Sequence, residues 1–122
     1  MRFRTLALAL IALLFVAPVH AASSKARVAA DATRLASLLH DVQWNVSVSD
    51  AAWKTIANEA NSLANRIYGN TSANRTARGL ARDLRMHVRE MRKAALAGDA
   101  AGARQHAQQA MPFVNKLIDW AE

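Results

Sequence analysis

The chain contains no cysteine. That excludes disulfide staples, thiolate metal sites, thioredoxin-like redox chemistry and haem attachment through Cys-x-x-Cys-His. Small exported domains often rely on disulfides; a cysteine-free one depends on packing alone. Glycine and proline are scarce, at four and two residues. The spacing places the glycines at punctuation points between helices or in the first turn of the last helix, leaving no glycine-rich cradle for a phosphate. A Gly-x-Ser-x-Gly elbow and a His-Glu-x-x-His motif are both missing, and no nucleophile stands at a credible spacing from a base. The reading is therefore non-enzymatic. No segment of any length alternates with period two, which removes sheet architectures. Aromatic residues make up only 6% of the chain and do not interleave with its basic residues as stacking platforms for nucleic acid do.

One long apolar run exists, Thr5 to Val19, ended by Pro18 and preceded by Met1-Arg2-Phe3-Arg4. At about fifteen residues it falls short of the roughly twenty a membrane-spanning helix needs. Val19-His20-Ala21 offers the small residues that signal peptidase reads, with Ala22 as the alternative end. Residues 1–21 are thus expected to be a signal peptide and residues 22–122 a single helical domain, not membrane-spanning after cleavage. The richness in Ala and Arg resembles that of GC-rich bacterial genes, so the expected location is periplasmic or secreted. The leader holds two of the sixteen basic residues and none of the nine acidic ones, leaving +5 on residues 22–122. That balance favours anionic partners.

Four amphipathic helices follow from spacings of three and four. The first is capped by Ser23 or Ser24, buries Val28, Ala32, Leu35, Leu38, Leu39 and Val42, and fades near Trp44. The second starts at the Ser49 cap, with Val48 packing on Trp53, and buries Trp53, Ile56, Ala57, Ala60, Leu63, Ala64 and Ile67. Gly69 is expected to end it in the left-handed conformation. Thr71 or Ser72 caps the third, which turns Ala77, Leu80, Ala81, Leu84, Val88, Met91 and Ala95 inward and stops at Gly98. Asp99 caps the fourth, whose stripe is Ala103, Ala107, Ala110, Met111, Val114, Leu117, Ile118 and Ala121, with a kink or restart expected at Pro112. Short loops between helices of similar length predict an all-α, antiparallel up-down-up-down four-helix bundle.

Two sets of residues carry chemistry. The third helix presents Arg75, Arg78, Arg82, Arg85, Arg89 and Arg92 at spacings of three and four, so all six share one face beside the apolar stripe. Like charges at this spacing repel. Either carboxylates such as Asp31, Asp41, Asp50 and Glu59 on other helices offset them, or the row binds an anion. Arginine recognises phosphate and carboxylate through a planar fork, which points to an anionic protein, lipid or polysaccharide and not to nucleic acid. The second set is His87, His106, Met91 and Met111, which the antiparallel reading brings to one half of the bundle. Imidazole with thioether suits copper, so a copper-type metal-binding bundle is the alternative function. With neither set is a cofactor required.

The turn Leu96-Ala97-Gly98-Asp99-Ala100-Ala101 resembles the tight turn before the last helix of the periplasmic four-helix-bundle cytochromes, the b-type and c-prime kinds. The resemblance implies the same four-helix layout over most of residues 22–122. Their haem ligands do not carry over. Val114-Asn115-Lys116-Leu117-Ile118 stands where the c-prime kind has Cys-x-x-Cys-His, and the early Met and late His of the b-type kind are missing. The resemblance therefore implies a haem-free relative.

Overall fold

The computed structural model describes the backbone of residues 16–44 and 50–122, and the side chains of residues 24–44 and 51–122. Among the described residues there are four helices and no strand. They are α1 (Val16–Trp44), α2 (Asp50–Gly69), α3 (Arg75–Leu96) and α4 (Ala100–Ala121). Consecutive helices pack together and α1 also packs on α4, while the backbones of the pairs α1/α3 and α2/α4 stay apart across the core. The four helices thus form a closed ring around one core.

That core is the set of periodic apolar residues. All six expected positions of α1 are buried, from Val28 to Val42. Trp53, Ala57, Ala60, Leu63, Ala64 and Ile67 of α2 meet Ala77, Ala81, Leu84, Val88, Met91 and Ala95 of α3 and Ala103, Ala107, Ala110, Val114 and Leu117 of α4. Ile56, Leu80, Met111, Ile118 and Ala121 pack at its edge. Alanine fills so many of these positions that the helices approach closely without large side chains to interlock. Among the described residues, no helix is long and apolar enough to cross a membrane.

The helix ends differ from expectation in four places. Helix α1 runs through Ser23 and Ser24, so neither caps it: the backbone upstream supplies carbonyls and the serine amides are not orphaned. Residues 1–15 of the expected leader lie outside the described residues, as do the expected Ser49 cap and Val48 staple. Asn74, and not Thr71 or Ser72, caps α3. Its backbone is extended and its Oδ1 accepts from the Ala77 amide at 2.9 Å. Thr71 is instead buried, with its hydroxyl donating to the Tyr68 carbonyl at 2.9 Å. Gly69 is not left-handed, because among the described residues only Gly98 has a positive φ. There the chain closes α3 with the Asp99 amide donating to Ala94 at 2.8 Å and the Gly98 amide to Ala95 at 3.1 Å, a left-handed glycine stop. Finally, α4 does not restart at Pro112. Pro112 and Gln108 are both exposed, so water can serve the carbonyl that proline leaves without a donor.

The start of α4 keeps its expected cap. Asp99 Oδ1 accepts from the Gly102 amide at 2.9 Å. A Cβ at position 102 would require the Asp99 carboxylate to shift.

Candidate anion-binding face on α3

A step of seven residues falls only about 20° short of two helical turns. The six arginines therefore sort into two files, Arg75, Arg82 and Arg89 in one and Arg78, Arg85 and Arg92 in the other. The second file lies roughly 60° round the helix from the first. The structure treats the two files differently. Arg75, Arg82 and Arg89 are exposed, whereas Arg78, Arg85 and Arg92 are half-buried.

The inner file leans on α2. The Arg78 guanidinium donates to the Tyr68 hydroxyl at 2.8 Å and lies 4.2 Å from the ring centre. Arg85 sits over the same ring at 3.8 Å. Arg92 Nε donates to Asn58 Oδ1 at 2.9 Å. The partners are a phenol and an amide, so these contacts hold the guanidiniums in place without cancelling their charge.

Two of the carboxylates that were candidates to offset the row, Asp31 and Glu59, are paired elsewhere, and the Asp50 side chain lies outside the described residues. Asp31 takes both Arg66 nitrogens, at 2.8 and 3.3 Å, and Glu59 takes both Arg34 nitrogens, at 2.8 and 3.2 Å. These forks join α1 to α2. The Arg34 hydrogen bond holds the Glu59 carboxyl below its ordinary range. On α3 itself, Arg82 reaches Asp83 only at 3.9 Å with 71% of its side chain exposed. Glu90 faces Lys93 at 3.7 Å. Among the described residues, the Arg75 and Arg89 side chains have no hydrogen-bond or ion-pair partner.

At the start of α3 the two files converge on a groove of about 230 Å³ lined by Tyr68, Arg75, Arg78, Gly79 and Arg82. Gly79 is not a punctuation residue, contrary to expectation. It stands inside α3, where glycine costs about 1 kcal/mol relative to alanine. Packing does not explain it, since a Cβ there would meet no atom within 4 Å. Helix polarity adds to the repulsion. The first turn of α3 contains no acidic residue and begins with Arg75, although a helix N-terminus carries partial positive charge and disfavours cations.

The histidine and methionine set is divided between α3 and α4. Met91 is fully buried and Met111 half-buried against the core. The His87 ring stacks on Phe113 at 5.5 Å. His106 is half-buried, its Nδ1 out of reach of solvent and without a partner. Among the described residues, no group of three or more His, Asp or Glu side chains comes together to hold a metal. Trp53 joins the core, Trp120 sits beneath the Lys25 ammonium at 5.0 Å, and Trp44 stays 70% exposed.

Comparison with known protein families, curated proteins and solved structures finds no match for this chain. Sequence reasoning missed Tyr68, Asn58 and Gly79 as members of the site. For the first two no linear signal exists, since they come from another helix. Gly79 was detectable as a glycine inside an otherwise unbroken helical rhythm.

Proposed function

We propose that this chain is an exported, non-enzymatic helical-bundle protein, with a binding or accessory role, that contacts an anionic partner through the arginine face of α3. The observation that carries this reading is the exposed outer file. Among the described residues, Arg75 and Arg89 have no side-chain partner and Arg82 meets only Asp83 at 3.9 Å, while the inner file braces the helix beneath them. Lys93, also exposed, extends the ridge. An exposed cationic ridge attracts anions over several ångströms and fixes them with forked hydrogen bonds. Nucleic acid is not the proposed partner: the expected location is outside the cytoplasm, and the one aromatic ring among the arginines already carries two guanidinium groups.

The proposed helix order is up-down-up-down. Supporting it, Asp31 and Arg34 of α1 meet Arg66 and Glu59 of α2, so residues later in one helix meet residues earlier in the next. Tyr68 with Arg78 and Asn58 with Arg92 repeat the pattern between α2 and α3.

Inorganic polyphosphate serves as a generic polyanion for the test. Arg82→Glu with Arg89→Glu is expected to weaken its binding at least tenfold at low salt while the helical circular dichroism stays intact. Equal binding by the variant and the wild type would remove the face from the function. Export is tested by N-terminal sequencing of protein recovered from outside the cytoplasm. A chain starting at Ala22 is expected, and one starting at Met1 would refute the leader.

A further inference from the structure

We infer that the groove around Gly79 is a binding site for a single phosphoryl group. The inference rests on the arginine-face reading and narrows it to one end of α3 and one ligand chemistry. Three features of that end are unfavourable for the protein by itself, and a bound dianion relieves or uses each of them. Arg75, Arg78 and Arg82 converge with no carboxylate closer than the 3.9 Å approach of Asp83. Arg75 is the first residue of that helix, where the macrodipole adds positive potential. Between the three arginines stands a helix-interior glycine with open space above its Cα, the arrangement found where a ligand approaches the backbone closely.

The size and donor chemistry select the ligand. A groove of about 230 Å³ is smaller than the cavities of roughly 300–1,000 Å³ that enclose drug-sized molecules. It suits a headgroup-sized anion. Three guanidinium forks match a tetrahedral dianion better than a planar monoanion, because each fork takes a different pair of oxygens. Tyr68 orients Arg78 through its hydroxyl, leaving the other guanidinium donors of Arg78 available. The phosphoryl group can belong to free phosphate or to a phosphomonoester headgroup at a lipid surface; the chemistry of the groove is the same.

The test uses the full chain and inorganic phosphate, followed by the Gly79 amide resonance, with sodium acetate and sodium chloride at matched ionic strength as controls. A saturable shift with phosphate alone is expected. Gly79→Ala is expected to raise the melting temperature by roughly 4 °C, since it removes a helix-interior glycine, and to lower phosphate affinity at least tenfold. Arg75→Gln with Arg82→Gln is expected to lower the affinity to a similar extent. Flotation with vesicles of phosphatidic acid in phosphatidylcholine then separates the sources. Gly79-dependent flotation assigns the lipid headgroup, whereas phosphate binding without flotation assigns the free anion. Gly79→Ala with unchanged phosphate affinity, or equal shifts in chloride, overturns the inference. If polyphosphate still binds and Arg82→Glu with Arg89→Glu abolishes it, only the groove falls and the wider face stands. If polyphosphate does not bind either, both fall.

Discussion

Helix α2 has two cationic seams, and they are built on opposite plans. Toward α1, each guanidinium meets a carboxylate in a fork: Arg66 on Asp31 and Arg34 on Glu59. Toward α3, guanidiniums meet a phenol and an amide, and no carboxylate enters. The first seam closes its charge within the fold. The second orders its charge and leaves it available to something outside. Arginine content alone does not distinguish the two plans; the partner of each guanidinium does.

The largest effect expected from disturbing α2 comes from beneath both seams. Ile67→Ala removes a fully buried side chain and should cost about 2–5 kcal/mol in urea unfolding. That sets the scale against which either seam is judged. Next is the second seam itself. Tyr68→Ala withdraws the ring under Arg78 and Arg85 and should cost about 2–3 kcal/mol. Tyr68→Phe keeps the ring and loses only the hydroxyl acceptor, for about 0.5–1.5 kcal/mol. Equal losses for the two variants would mean that the ring contacts contribute nothing.

A smaller change converts one plan into the other. Asn58→Asp places a carboxylate where Arg92 now finds an amide oxygen at 2.9 Å. The gain in stability should be about 0.2–1 kcal/mol at low salt and should fade as salt is raised. The same substitution should weaken polyphosphate binding, because it neutralises part of the face. A stabilised variant with undiminished binding would mean that the inner file does not contribute to recognition.

The smallest effect belongs to the exposed first seam. Its Arg34 hydrogen bond depresses the folded-state carboxyl of Glu59 below the ordinary 4.5. The unfolded chain thus takes up the proton first as pH falls. The contribution of Glu59 is complete above pH 4.5 and is lost as pH drops through the depressed folded value. In pH-dependent melting, wild type should exceed Glu59→Gln slightly at neutral pH, and the two curves should converge in acid. Curves that stay parallel below pH 4 would mean that the fork does not contribute.

Most of the fold was legible in the linear pattern. Spacings of three and four marked the buried stripe of each helix, and Gly98 and Asp99 marked the stop and the restart between α3 and α4. The helix ends were less legible. Thr71, Ser72 and Asn74 can all cap, and only the path of the turn decided that Asn74 does. Pro112 pointed to a kink or a restart, and α4 runs through it without restarting. The candidate site was half legible. The row of six arginines could be read as one face, yet not as two files with different surroundings, and Gly79 was grouped with the glycines of the turns.

The sequence by itself determined which residues share a helical face, because a residue's angle about the axis follows from its number and from 100° per step. It determined as well that α3 would be the most basic surface of the domain. Only the tertiary structure decided which neighbour each face meets. The register between helices sent Asp31 and Glu59 to Arg66 and Arg34, brought Tyr68 beneath Arg78 and Arg85, and left Arg75, Arg82 and Arg89 in solvent. Those choices follow from how alanine-rich stripes slide to their closest packing, which depends on all four helices at once.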